Sequence, residues 1–352
     1  MTSFFPGEID FLSKRPNNLK FMNRTILFFP ALVGFLMLSF MNCSENVPNY
    51  PLELTSFRLN VPNLELDKYF QRVVGLEITD QGEFIMTDGN RLGVFIFDQN
   101  GNYVDNLANY GNEGYEFVNS VSPVDTLLAV NFLRSLEFLT KKGHLIKRHF
   151  LRGRGKTDVA ADGAFLINRM YDARLLGHCL ETYDPDGKSI ATFRTPRSTQ
   201  EGTEILDFGF SQIAPDNKII YVPAAIDSGF VYDFQGNLLL TKKLKSSLKP
   251  YKLADGAPGA LVEDMFVNED GIFLIRLNPK LSNEEMVFFD LIEHYNFNFD
   301  RVATYSFAVP LTITVPVLEY APWYHKFAYK NGIFYFVVSQ PFEQLLAFKI
   351  KN

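Results

Sequence analysis

The stretch Val94-Phe95-Ile96-Phe97-Asp98-Gln99-Asn100-Gly101-Asn102-Tyr103-Val104 decides how this chain is to be read. Four apolar residues run up to Asp98, a turn closes on Gly101, and the chain returns through Tyr103 and Val104. An aspartate can cap such a turn with its own side chain, and glycine supplies the positive φ of a short bulged hairpin. The unbroken apolar run before the turn suits a strand covered on both faces. The unit returns as LETYDPDG from Leu180 to Gly187 and as FVYDFQGN from Phe230 to Asn237, with a weaker copy, LEFLTKKG, from Leu136 to Gly143.

A second landmark recurs from residue 73 onward: a few apolar residues, a turn of Asp, Asn or Gly, then an apolar strand. Its turns fall at Gly82, Thr126, Gly163, Asn217, Gly271 and Gly332, with steps of 44, 37, 54, 54 and 61 residues. Two hairpin turns in each unit of about 40–60 residues are the mark of a β-propeller with four strands per blade. Six copies predict an all-β, six-bladed propeller with antiparallel blades. The last unit ends at Ile350 with little chain left for a fourth strand, whereas residues 52–59 alternate apolar and polar and stand apart from the first repeat. That N-terminal strand is expected to join the last blade and close the ring, removing two open edges. Steps above about 45 residues mean loop insertions, which collect on one face.

The composition agrees: 352 residues, 47% hydrophobic and 15% aromatic, with 35 Phe and 16 Tyr, can furnish a large β core. The net charge is −6, and about −8 once residues 1–42 are set aside. An acidic body lacks the basic surface that phosphate contacts require, so no nucleic-acid partner is expected. The five His are scattered, and the two cysteines, Cys43 and Cys179, cannot make a disulfide scaffold. Cys179 reads as a small apolar core residue.

Residues 26–41 read ILFFPALVGFLMLSFM, uncharged and shorter than the roughly 20 residues of a membrane span. With Arg24 before it and Cys43 just after, the segment reads as a lipoprotein signal peptide, residues 1–43, lipidated at Cys43. Phe40, Met41 and Asn42 depart from the usual Leu and small residues ahead of that cysteine. An uncleaved anchor and ordinary signal-peptidase cleavage stay open, and all three send the body out of the cytoplasm. A signal beginning at Met22 has ordinary proportions, so residues 1–21 are expected to reflect a misassigned start. Residues 44–51, with two prolines, read as a tether, and 52–352 as the propeller.

The blade turns, with Phe97-Asp98-Gln99-Asn100-Gly101 the clearest, and the stretch Tyr110-Gly111-Asn112-Glu113-Gly114-Tyr115-Glu116-Phe117 make the chain resemble exported bacterial six-bladed propeller lipoproteins of the NHL/TolB-like type. In those proteins a Gly-rich connection with a Pro-Gly-Glu-Tyr or Pro-Gly-Glu-Phe core follows a blade; this chain lacks the proline. The resemblance covers residues 52–350 and implies a fold and a place in a Gram-negative cell envelope. It implies no single catalytic set, because propellers host many activities.

Candidate sites follow from residue chemistry. Arg152-Gly153-Arg154-Gly155-Lys156-Thr157 ends like a phosphate loop but lacks its first glycine and the strand–helix context, so it reads as an exposed basic connection. Arg152 and Arg154, with Arg169 and Arg174 in the third blade, could clamp a carboxylate or sulfate; a local Arg–Asp pair is the plainer reading. Trp323 and Tyr324 stand in a Pro-bounded insertion with Val309–Pro316, fit for a carbohydrate or peptide rim, or for core packing. Lactonase-type propellers hold calcium in the central channel with hard oxygen ligands. Glu77, Asn119, Asn168, Asp207 and Glu263 are the candidates here, set against plain turn caps and solvated rims. No Gly-x-Ser-x-Gly, His-Glu-x-x-His or Cys-x-x-Cys motif occurs. The sequence thus favours a lipid-anchored binding or scaffolding module with no cofactor and an unassigned protein or small-molecule ligand; the alternative is a calcium-dependent lactonase-like hydrolase.

Overall fold

The computed structural model describes residues 47–60, 73–88, 93–107, 118–132, 134–152, 155–172, 177–195, 209–224, 226–246, 262–276, 286–314, 327–338 and 344–351. The candidates Cys43, Arg154, Arg174, Asp207, Trp323 and Tyr324 and the stretch 110–117 lie outside them.

The chain opens with β1 (Asn49–Leu54), and the first blade is β2 (Val73–Ile78), β3 (Phe84–Asp88), β4 (Gly93–Phe97) and β5 (Tyr103–Asn106). The second is β6 (Val118–Val124), β7 (Leu127–Phe132), β8 (Ser135–Thr140) and β9 (Leu145–Phe150); the third is β10 (Lys156–Val159), β11 (Phe165–Asp172), β12 (Gly177–Tyr183) and β13 (Ser189–Arg194). The fourth is β14 (Gly209–Ile213), β15 (Ile219–Pro223), β16 (Ser228–Tyr232) and β17 (Leu238–Lys243). The fifth is β18 (Asp264–Asn268), β19 (Gly271–Arg276), β20 (Met286–Tyr295) and β21 (Arg301–Thr314), and the sixth begins with β22 (Phe327–Lys330), β23 (Ile333–Val338) and β24 (Gln344–Ile350).

Four of the sheets are separate and four-stranded, while the last two blades form one eight-stranded sheet through β1. β1 pairs antiparallel with β24, Leu52 opposite Ile350, and so supplies the fourth strand of the last blade. It also pairs in parallel with β21, Asn49 opposite Thr304. Closure by the N-terminal strand is therefore as expected, but the boundary moves: Asn49–Pro51, read as tether, are already strand, and beyond Leu54 there is only an isolated bridge at Asn60. Val309–Thr314, read as insertion, belong to β21, which is 14 residues long. Lys156 and Thr157, read as loop, begin β10, and Arg169–Asp172 end β11.

The apolar runs now have a cause. Successive side chains of a strand point to opposite faces, and each blade is covered by a neighbour on both. Phe84 and Met86 pack with Ala328, Tyr335 and Val337 of the last blade, while Ile85 packs with Val118, Val121 and Leu128 of the second. Six such layers, one per gap between blades, carry the core. Cys179 is fully buried.

The turns between the third and fourth strands share one construction. Asp98 Oδ1 accepts from the N–H groups of Asn100 (2.9 Å) and Asn102 (2.8 Å), and Gly101 takes φ 81°. Asp184 with Gly187 and Asp233 with Gly236 repeat it. The fifth blade holds a copy that the sequence pattern conceals. There Asn296 Oδ1 accepts from Asn298 (3.0 Å) and Asp300 (2.9 Å), and Phe299, not glycine, adopts φ 56°.

Candidate functional site

Chain direction sorts the connections. A first strand runs to a tight turn, the second runs back, the third repeats the first, and the fourth returns. First-to-second and third-to-fourth turns thus lie at one end of the ring, the turn end. Second-to-third connections and links between blades leave from the other, the connection end. All the long links, among them 196–208, 247–261 and 315–326, start and finish at strand ends on the connection end. β1, antiparallel to β24, enters from the turn end.

The first strands touch their neighbours in the order β2, β6, β10, β14, β18, β22 and back to β2, so they enclose the axis. Alternation assigns their two faces. Leu76 packs toward the last blade, so Glu77 faces the second; Thr157 meets Asn131 of the second blade, so Lys156 and Asp158 face the fourth. Phe210 packs on the fifth blade, which turns Gln212 the same way, and Met265 packs on the fourth, which turns Asp264 toward the sixth. Each of these polar residues faces the next blade at the narrow, axial end of the wedge. Register sets their height: Glu77 pairs with Ile85, Asp158 with Leu166 and Gln212 with Ile220, in each case one step from the pair that closes the turn. Glu77, Asp158 and Gln212 therefore share one level of the axis.

The charged groups of the first, third and fifth inner strands belong to blades that are not neighbours, and they couple with one another. Burial pushes the Glu77 carboxyl up to about 8; Lys156 opposes the shift, and Asp158 and Asp264 add to it. Burial likewise raises Asp158, against the N–H of Ile213 (2.6 Å to Oδ2) and the charge of Lys156. Lys156 is depressed by burial despite Asp264, Glu77 and Asp158. Water still reaches Glu77, Lys156 and Asp158, which are half-buried. Asp264 is closed off, its Oδ1 taking the N–H of Met265 at 2.8 Å. From the sixth blade, Lys330 donates to the Thr79 carbonyl and so ties the first and last blades.

The other sequence candidates lie elsewhere. Arg169 is buried and its Nη2 is 2.6 Å from Glu181 Oε2, which also accepts from Tyr183 Oη at 2.7 Å; it is a structural partner within its own blade. Arg152 is exposed where β9 leads toward β10. Asn119 sits at the register shift of β6 with its Nδ2 buried and unpartnered. Asn168 belongs to a second strand and donates to the Gly209 carbonyl at 2.9 Å, tying the third blade to the fourth. Glu263 precedes β18, where its N–H bonds the Ile275 carbonyl at 3.0 Å.

Asp207 lies outside the described residues, and the other four oxygen-bearing candidates are spread over different strands and blades. An ammonium stands among the axial carboxylates, Asn168 is drawn off to a blade contact, and among the described residues no three His, Cys, Asp or Glu converge as metal ligands. Lys156, Asp158 and Asp264 were missed in the sequence because they flank turns and glycines, where charged residues are ordinary. One signal was there: Glu77, Asp158 and Gln212 each stand five residues before the turn positions Gly82, Gly163 and Asn217.

A further ionic cluster joins the fourth and fifth blades. Arg276 Nε meets Glu293 Oε2 at 2.7 Å and its Nη2 meets Asp227 Oδ1 at 3.3 Å; Arg301 (3.1 Å) and Tyr295 Oη (2.8 Å) also bond Glu293. Arg276 and Glu293 are wholly buried, and burial, with Glu293 adding, raises the Tyr295 phenol. Every group is matched, so the cluster is a strut between blades.

No protein-family model and no curated protein matches the chain. Among solved structures it superposes on a member of the DUF4221 family from Bacteroides vulgatus with a TM-score of 0.55 and 14% identity, over 86% of this chain and 99% of that one. A Bacteroides fragilis protein inferred to be exported gives 0.49 and 13%, over 86% and 99%. Virginiamycin B lyase from Staphylococcus aureus gives 0.47 and 12%, over 85% and 100%. At such identities the likeness is one of fold.

Proposed function

We propose that the chain is an extracytoplasmic, lipid-anchored binding module that presents the connection end of its ring to a protein or small-molecule partner. The observation that carries this is the sorting of connections: tight turns at one end, and at the other all the long links, where propellers can vary without disturbing the blades. The uncharged run of residues 26–41 followed by Cys43 supports export and lipidation. Six residues from Cys43 to Asn49 reach at most about 20 Å, and β1 enters at the turn end. A lipid on Cys43 would hold the turn end toward the membrane and leave the connection end facing outward.

Two measurements test this. Palmitate labelling of cells should mark the wild-type chain and not Cys43→Ala, with the variant leaving the membrane fraction; an equally labelled variant would end the anchor reading. A photo-cross-linking residue at Arg152, on the connection end, should trap one discrete species in intact envelopes. The same residue at Asn100, in a turn, should not. Equal trapping from both ends, or none from either, refutes the binding face.

A further inference from the structure

On the outer edge of the second blade the charge runs against that of the whole chain. Residues 138–157 hold seven Lys and Arg and no Asp or Glu, in a chain whose net charge is −6. They include the basic connection that begins at Arg152 and, before it, β9. That strand ends the order of its sheet and, among the described residues, has a ladder only with β8. Of its six residues only His149 is buried. Phe150 is 82% exposed, Ile146 60% and Leu145 48%, so apolar surface stands beside Lys147 and Arg148. The backbone is open as well. Leu151 donates its N–H to the Arg134 carbonyl at 2.8 Å, and in an antiparallel ladder every second residue repeats that direction. His149 and Lys147 therefore bond toward β8, and the N–H and C=O groups of Arg148 and Phe150 point away from the sheet. Lys147 stands opposite Phe138 and Leu145 opposite Leu139, which confines the bulge to Ile146 and leaves residues 147–150 in regular register.

We infer that the edge of β9 is a docking site for an extended, acidic segment of a partner protein, which adds to the second blade as a further strand. Main-chain bonds to Arg148 and Phe150 would hold the segment, and carboxylates set among apolar residues would match Lys147, Arg148, Ile146 and Phe150. Charge decides among the occupants. Two copies of β9 paired symmetrically would lay Lys147 and Arg148 against the same residues of the other copy, and like charges placed opposite destabilise a ladder. Those charges guard the edge against self-association, and an acidic strand turns the guard into an attraction. Within the chain Lys147 meets Asp186 at 3.3 Å and Arg148 meets Glu137 at 2.7 Å, but both basic side chains are more than two-fifths exposed. Such pairs contribute little and give way readily. A bilayer fits less well. β1 enters between the fifth and sixth blades, so a lipid on Cys43 would lie across the ring from the second blade.

The test titrates the full-length chain in non-ionic detergent against fluorescein-labelled octapeptides of alternating Val and Glu, or of alternating Val and Lys, read by fluorescence anisotropy. The Val–Glu peptide should bind with a Kd below about 1 mM, and the Val–Lys peptide at least about tenfold more weakly. With the Val–Glu peptide bound, amide hydrogen exchange should slow in residues 145–151 and stay unchanged in β13 and β17. Phe150→Pro removes an outward N–H and the exposed ring without breaking the ladder to β8, and should weaken binding at least about tenfold. Lys142→Glu with Lys147→Glu should narrow the gap between the two peptides at least about tenfold. All three side chains are exposed, so both variants should melt as the wild type does, which separates lost docking from lost folding. Four results overturn the inference: no preference for the acidic peptide, protection that appears elsewhere or nowhere, binding unchanged in both variants, or displacement of the peptide by phosphatidylglycerol in the micelles at a lower concentration than by unlabelled peptide, which would give the edge to a lipid surface. Peptide addition is read on the isolated protein and capture by the connection end in intact envelopes, so the two proposals fail separately.

Discussion

Replacing Phe299 by glycine sets two effects against each other at one residue. Phe299 occupies the turn position held by glycine in four sister hairpins, with φ 56°. A side chain in the left-handed region costs about 1–2 kcal/mol, which glycine would return, less about 0.5–1 kcal/mol for its freer unfolded chain. Against this, Phe299 is 2% exposed and packs with Tyr295, Leu244 and Val262. Its ring lies where a Cβ on Gly229 would stand, at 2.3 Å. Truncating a buried phenylalanine costs about 3–5 kcal/mol. Burial wins, and Phe299→Gly should lose about 2–4 kcal/mol. Lys245 is the control: it has φ 52° but is exposed, so Lys245→Gly should gain up to about 1 kcal/mol. Urea unfolding followed by far-ultraviolet circular dichroism, with an unchanged denaturant slope, reads both. The same sign for the two variants would refute the claim that packing, not backbone preference, holds the phenylalanine in its turn.

Three further outcomes are expected. Glu293→Gln takes from the wholly buried Arg276 the carboxylate 2.7 Å from its Nε, and should cost about 3–5 kcal/mol; the double change Arg276→Met with Glu293→Leu should recover most of it in the same urea assay. Because the folded Glu77 carboxyl titrates at about 8, above its unfolded value of 4.5, the folded state holds the extra proton between those values. Stability should therefore fall as pH rises from about 5 to 8, by at most about 1.4 kcal/mol per unit from this group, and thermal melts of Glu77→Gln should show a shallower fall. Deleting residues 47–54 bares the edges of β21 and β24, and size-exclusion chromatography should then show self-association through those edges.

The ring was legible because its punctuation is chemical. Asp98, Asp184 and Asp233 cap turns that only a positive φ can close, and the glycines at 101, 187 and 236 announce them. Where the same backbone is built from Asn296 and Phe299, the punctuation vanishes although the hydrogen bonds persist. The closing strand could be guessed from the missing fourth strand, but its start at Asn49 could not, since Pro51 and the polar residues before it read as linker. The axial site was half legible. Glu77 stood out as an acid near an inner strand, whereas Lys156 was disguised by the glycines and arginines before it. Its partnership with Glu77 depends on blades one and three meeting across an axis, a distance in space that no spacing along the chain records.

One feature of the closure bears on mechanics. β1 is held by hydrogen-bond ladders on both flanks, parallel to β21 and antiparallel to β24, and its partners lie about 250 and 300 residues away along the chain. Tension applied to the N-terminal side therefore does not peel a hairpin open one bond at a time. It pulls β1 lengthwise, and the bonds of both ladders bear the load together as shear. Leu52, buried between the fifth and sixth blades, must be dragged out of the core in the same motion. The segment nearest the chain's entry is thus also the clasp of the ring, and a force strong enough to draw it out would open the whole circle of blades at one seam.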